Sequence, residues 1–215
     1  MRPQKTKEAF TLLEMTIAIT ITAITGLSVA GATIALSQAH QDTANFYQSL
    51  QTARSAMIRI QKAVNKAELI TACTSTVIIL WADDTNNDGK INVDELLVLA
   101  LDAESRQITL YRLVFPTGLA AALNVEAALA DLTDASTVTK MLTDSEYDTS
   151  TVLATDVTDF CLTASPAPPM TVMVGIRLTV GVGTTQITLR SAAAPRAAKT
   201  ARVSLVEGKL TLVPK

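Results

Sequence analysis

The stretch that decides the fold is EAFTLLE at residues 8–14, which opens the run MTIAITITAITGLSVAGATIAL at residues 15–36. A basic leader with Arg2, Lys5 and Lys7 precedes it, and the small residue Ala9 stands before the apolar run. Secretory signal peptides place their small residue after the apolar core and are cleaved there. Cleavage after Ala9 would instead remove only the charged leader and leave the apolar segment as the mature N-terminus.

The apolar run has the length of a membrane span. Its 22 residues carry no formal charge, and a helix of about 20 residues crosses the hydrocarbon core of a bilayer. Positive residues beside a span stay in the cytoplasm, so the rest of the chain is expected across the membrane. The run is either a simple membrane anchor or a segment that packs against other helices. The small residues Gly26, Ala30 and Gly31 favour packing, because they allow close contact between helices.

Glu14 is a carboxylate at the edge of this span. A charged group there costs a few kcal/mol unless it has a partner, so it indicates a functional position. The alternative is a glutamate whose side chain reaches the lipid headgroups.

The helix is predicted to continue beyond the membrane. Residues 41–68 contain no proline or glycine. Apolar side chains recur there in steps of three and four, as on one face of a helix: Phe46, Leu50, Ala53, Met57, Ile60 and Val64. We expect this face to pack against a globular domain.

Composition limits the classes of function. The 215 residues suit one anchor helix and one domain of about 150 residues. The formal net charge of −2 becomes −4 when residues 1–9, with three cations and one anion, are removed, which does not favour a nucleic-acid partner. No nucleophile elbow, phosphate loop, HExxH or CxxC motif is present, and His40 is the only histidine. A hydrolytic triad would need that histidine, so the protein is not predicted to be an enzyme.

Residues 84–95, DTNNDGKINVDE, match the twelve-residue pattern of an EF-hand calcium loop. Gly89 permits the bend at position six, and Lys90 offers its backbone carbonyl. The candidate ligands are Asp84, Asn86, Asp88, Lys90, Asn92, Asp94 and Glu95.

The flanks of this loop differ from those of an EF-hand. TVIILW at residues 76–81 and LLVLAL at residues 96–101 predict strands rather than helices. We therefore expect a β-hairpin stabilised by structural Ca²⁺, in which Asp94 is an alternative to Glu95 as the closing ligand. A polar turn without a metal is the other interpretation.

The remaining pattern predicts further strands at residues 107–113, 156–162, 171–180 and 185–190, and a final hairpin at residues 202–206 and 209–213. A helix is expected over residues 119–132 and a loop or short helix over 133–156. Residues 172, 174, 176, 178 and 180 should share one face. The fold class is therefore α+β. The only cysteines, Cys73 and Cys161, form a disulfide in an exported domain or stay as two buried thiols.

FTLLE with its basic leader and apolar run resembles the processing site of type IV prepilins and type II secretion pseudopilins. The resemblance implies that a prepilin peptidase cleaves between Ala9 and Phe10 and methylates Phe10. It implies that Glu14 pairs with the N-terminal amine of a neighbouring subunit during assembly. The family usually has glycine where Ala9 stands. A long N-terminal helix on an antiparallel sheet is also the pilin-like architecture.

The downstream order is similar to J-type minor pseudopilins and W-type minor pilins, at LATDVTDFCL (residues 153–162), VMVGIRLTV (172–180) and LRSAAAPR (189–196). The resemblance implies a cleaved leader at residues 1–9, a transmembrane and assembly half of the helix at 10–39, and a periplasmic domain at 40–215. It implies a structural subunit of a type II secretion or type IV pilus system in the bacterial inner membrane. The implied partners are membrane lipid before assembly, other pseudopilins or pilins, and the inner-membrane assembly platform.

The alternative function is a membrane-anchored calcium-binding module with a sensing or adhesive role. A sensor would change its exposed apolar surface when it binds calcium, whereas a structural site would only gain stability.

Overall fold

The structure, a computed structural model, describes residues 11–86, 88–116, 126–127, 131–136, 138–139, 146–182, 185–196, 203–206 and 209–212. Ala9, Phe10 and Asn87 lie outside the described residues. The chain divides into two compact units, Met1–Ala44 and Asn45–Lys215.

The first unit contains the N-terminal part of helix α1, Leu12–Lys66, which is 55 residues long. Every side chain from Thr11 to Ala44 is exposed. The threonine hydroxyls donate to backbone carbonyls one turn earlier, for example Thr20 Oγ1 to the Thr16 oxygen at 2.8 Å, which satisfies them without a partner element. Among the described residues, α1 is the one helix long and apolar enough to cross a membrane.

In the second unit, α1 buries one face. The buried residues are Ser49, Ala53, Ala56, Met57, Ile60, Ala63 and Val64. They include four of the six predicted positions, but Phe46 is 43% exposed and Leu50 is only half-buried. The buried face is shifted because the small residues Ser49, Ala56 and Ala63 lie in the contact.

The first sheet has five antiparallel strands in chain order. They are β1 Leu69–Cys73, β2 Val77–Trp81, β3 Leu96–Asp102, β4 Gln107–Leu113 and β5 Asp148–Ala154. The predicted hairpin around the loop is confirmed: β2 and β3 pair with Val77 opposite Ala100 and Trp81 opposite Leu96. A short 3-10 helix, Val93–Glu95, precedes β3.

Two predictions in this region are wrong. Residues 148–154 were expected in a loop or short helix but form β5, which pairs with β4. The helix expected over residues 119–132 is not continuous, because Glu126 forms an isolated antiparallel bridge with Asn92. Asp131–Thr133 is a 3-10 helix, and most of the remaining segment lies outside the described residues.

The second sheet contains β6 Val157–Ser165, β7 Met173–Val182 and β8 Thr185–Ala193, paired antiparallel in that order. Strand β9, Val203–Val206, pairs with β10, Lys209–Leu212, so the predicted final hairpin is confirmed. The alternation in β7 is also confirmed, with Val174, Ile176, Leu178 and Val180 buried. Val172 is 58% exposed because it precedes the strand.

The core lies between α1 and the two larger sheets. One cluster joins Ile60 and Val64 of α1 to Ile78 and Leu80 of β2 and to Leu178 of β7. A second cluster covers the other side of the five-stranded sheet and contains Ile79, Trp81, Leu132 and Val203 among others. The α+β class is therefore confirmed, with the strands distributed among three sheets in the described residues.

Candidate functional site

The β2–β3 loop, residues 84–95, adopts the bend that its glycine predicts. Gly89 has a φ of 75°, a backbone conformation that glycine adopts at no steric cost. Its N–H donates to Asp84 Oδ2 at 3.0 Å. The first and sixth positions of the loop are thus held together.

The middle of the loop is closed by local hydrogen bonds to Asp88. Asp88 Oδ1 accepts the N–H of Lys90 at 2.7 Å, and Asp88 Oδ2 accepts the side-chain amides of Asn86 at 2.8 Å and Asn92 at 3.4 Å. The Lys90 N–H is the main cause that lowers the pKa of Asp88 below its usual range, so this carboxylate is charged at neutral pH.

The outer side of the loop is tied to residues 126–127. Lys90 Nζ lies 2.6 Å from Glu126 Oε2, and this contact raises the pKa of Lys90. The N–H of Ala127 donates to the Ile91 oxygen at 2.8 Å. Both contacts order the second half of the loop.

Glu95 has a role that the sequence pattern did not reveal. Its side chain is 1% exposed, and its carboxylate accepts four hydrogen bonds. Oε2 accepts Trp81 Nε1–H at 2.9 Å and the Asn92 N–H at 3.3 Å. Oε1 accepts the N–H and hydroxyl of Thr85, at 2.7 and 3.0 Å. An ionised carboxylate has about four acceptor sites, so the buried charge is fully hydrogen-bonded and joins the end of β2 to both ends of the loop.

The first half of the loop brings together Asp84, Asn86 and Asp88, whose side-chain oxygens accept the local hydrogen bonds of the bend. Oxygen is the ligand type that Ca²⁺ prefers. Glu95 is fully engaged by other donors and is not positioned to close the shell. The described residues contain no group of three His, Cys, Asp or Glu side chains arranged to hold a metal ion. Asp94, the alternative closing ligand, lies half-buried at the end of the loop.

Glu14 forms a capping box with Thr11 at the start of α1. Glu14 Oε2 accepts the N–H and the hydroxyl of Thr11, at 2.9 and 3.0 Å, while the Glu14 N–H donates to Thr11 Oγ1 at 3.3 Å. These reciprocal bonds satisfy backbone donors that a helix N-terminus otherwise leaves open. The Thr-x-x-Glu spacing in FTLLE is the sequence signal for this role.

The two cysteines are free, half-buried thiols. Cys73 is the last residue of β1, and Cys161 lies in β6. The N–H of Leu162 donates to the Ser75 oxygen at 2.9 Å, so the two segments are adjacent. Burial raises the pKa of the Cys73 thiol to about 11. The disulfide stays a prediction.

Replacing Glu95 with glutamine should destabilise the domain by about 1–3 kcal/mol, because the new amide group places donors against the donors of Trp81 or Thr85. The measurement is thermal unfolding in the presence of a chelator, followed by near-UV circular dichroism of the tryptophan. Glu104→Gln is the matched control, because Glu104 is exposed and the chemical change is the same. Equal midpoints for the two variants would contradict the role assigned to Glu95.

Comparison of the chain with protein-family models, with curated proteins and with solved structures gives no match.

Proposed function

We propose that the protein is a pilin-like structural subunit, a minor pseudopilin or minor pilin, of a type II secretion or type IV pilus system. The observation that carries the proposal is α1, Leu12–Lys66. Its first part has the length and apolarity of a membrane span, and its last part buries one face against antiparallel strands. In the sequence the stretch FTLLE, which resembles a prepilin processing site, lies at the start of this helix.

The surface of the apolar part supports a role in packing between helices. Large apolar side chains are exposed along it, including Leu27 at 75% and Ile19 at 64%. A Cβ added at Gly26 or Gly31 would meet nothing within 4 Å, so both positions are open to a neighbouring helix. Lipid would cover this surface before assembly, and helices of other pseudopilins or pilins would cover it afterwards.

The proposed mechanism begins with cleavage between Ala9 and Phe10 by a prepilin peptidase in the inner membrane. The N-terminus is cytoplasmic before cleavage, and residues 40–215 face the periplasm. Glu14 then attracts the N-terminal amine of a neighbouring subunit at the assembly platform. Its capping bonds to Thr11 hold the carboxylate at the first turn of α1, which orients the negative charge.

Calcium in this proposal is structural. Asp84, Asn86, Asp88 and the carbonyl of Lys90 would hold the ion, and its charge would offset the repulsion between the loop carboxylates. Glu95 would not bind the ion. It would order the loop through its hydrogen bonds to Trp81 and Thr85.

Co-expression with a prepilin peptidase should yield a chain that begins at Phe10 and carries one added methyl group, as read by intact-protein mass spectrometry. Ala9→Gly should be processed at least as well, since glycine is the usual residue of the family. Ala9→Phe should remain unprocessed, because a bulky side chain would not fit the cleft of the peptidase. A wild-type chain that keeps residues 1–9 would contradict the proposal.

The variant Glu14→Gln should impair assembly of the subunit while it keeps the cap at the start of α1. Glutamine also serves in a capping box, so the helix start is retained while the charge is lost. We expect Glu14→Gln and Glu14→Ala to reach the membrane fraction but to be depleted at least about tenfold from sheared fibres, as measured by immunoblot. Normal incorporation of Glu14→Gln would assign Glu14 to capping alone and would contradict the amine-pairing mechanism.

Calcium should raise the thermal midpoint of the protein, and a chelator should reverse the rise. At a free calcium concentration of 100 times the dissociation constant, the expected stabilisation is about 2.7 kcal/mol. Asp84→Asn with Asp88→Asn should abolish it, while Asp102→Asn in the β3–β4 turn should retain it. The absence of any shift would contradict the calcium site, and a gain of dye-accessible apolar surface would indicate a sensor.

A further inference from the structure

A cleft of about 450 Å³ lies beside the β2–β3 loop, at the C-terminal end of α1. Three cations from separate parts of the chain line it: Lys66 in the last turn of α1, Arg112 on β4, and Arg196 after β8. The Arg196 N–H donates to the Ala67 oxygen at 2.8 Å, which fixes its backbone next to the helix end. Ala63 and Leu97 contribute apolar groups to the lining of the cleft.

The same cleft carries an exposed acid. Asp83 lines it together with Thr85 and Glu95. The charge of Glu95 is already satisfied by Trp81, Thr85 and Asn92. Asp83, Lys66 and Arg196 are exposed, and among the described residues none of these three forms an ion pair. The lining of the cleft therefore carries both signs of charge, and no ion pair joins Asp83 to these cations among the described residues.

This arrangement is self-complementary. In a two-fold symmetric contact, residue i of one copy meets residue j of the other, and j meets i. A second copy facing this rim can place its Asp83 against Lys66 and Arg196 while its own cations receive the first copy's Asp83. Charge complementarity of this kind sets the register and the partner of a contact.

Acidic and basic residues are also unevenly distributed along the sequence. Residues 83–159 contain 15 acidic and four basic residues, whereas residues 160–215 contain one acidic and seven basic residues. Acidic residues are thus concentrated in the segment that contains Asp83, and basic residues in the segment that contains Arg196.

We propose that this cleft, defined by Lys66, Asp83, Arg112 and Arg196, is the docking site for a second copy of this chain through reciprocal Asp83-to-cation contacts. The contact involves only the second unit and requires neither cleavage at Ala9 nor a fibre. It therefore stands or falls independently of the proposed function.

The test uses the full chain in detergent, with mass measured by sedimentation velocity as a function of protein and salt concentration. The wild type should dimerise at low salt, and dimerisation should weaken as ionic strength rises, because exposed charges are screened. Asp83→Lys alone, and Lys66→Glu with Arg196→Glu, should each weaken self-association at least about tenfold, since reversal replaces attraction by like-charge repulsion.

Mixing these two variants gives the decisive result. In a mixed pair, the lysine introduced at position 83 of one variant faces the glutamates introduced at positions 66 and 196 of the other. The unchanged Asp83 of the second variant faces the unchanged Lys66 and Arg196 of the first. Both contacts therefore join opposite charges. We expect the mixture to dimerise although neither variant does so alone. Arg54→Glu, an exposed change on the same helix, is the control and should dimerise like the wild type.

A monomeric wild type at low salt would overturn the proposal, as would a mixture that stays monomeric. Dimers that persist equally in all variants would place the contact elsewhere, for example along the apolar part of α1, and would also overturn it.

Discussion

The structure depends on the burial of one face of α1 against two sheets. Ile60 and Val64 are fully buried and belong to the same cluster as residues of β2 and β7. Each fully buried side chain of this size contributes about 1.5–3 kcal/mol. The small residues Ala53, Ala56 and Ala63 are buried on the same face of the helix. This contact joins the two larger sheets, which share no strand and also meet where the Leu162 N–H of β6 donates to the Ser75 oxygen of the β1–β2 turn.

The position of the loop follows from that core. Strand β2 of the five-stranded sheet is buried on both faces, with Ile78 and Leu80 on the helix side and Ile79 and Trp81 on the other. Trp81 at the end of β2 therefore presents its indole N–H inside the protein, where an unpaired donor would be costly. Glu95 supplies the acceptor, and its remaining lone pairs hold the loop. The carboxylate that the EF-hand pattern assigns to a metal serves the hairpin itself.

At the start of α1, as in the loop, one carboxylate satisfies several hydrogen-bond donors. Glu14 satisfies donors of the first turn through Thr11, and in the proposed assembly its charge also attracts an amine. Capping needs the oxygen acceptor, whereas attraction needs the charge. The two roles are compatible in one residue because they use different properties of the carboxylate.

The sequence alone determined the elements whose signals are local. The long helix, the β2–β3 hairpin, β4, the alternating β7 and its partner β8 follow from periodicity and turn residues, as does the bend at Gly89. Tertiary structure decided the rest, because the deciding contacts are distant in sequence. Strand β5 has a polar sequence and is a strand because β4 pairs with it. The buried face of α1 is shifted from Phe46 by the small residues in the contact. The engagement of Glu95 by Trp81, 14 residues away, and the meeting of Lys66, Arg112 and Arg196 in one cleft have no local signature.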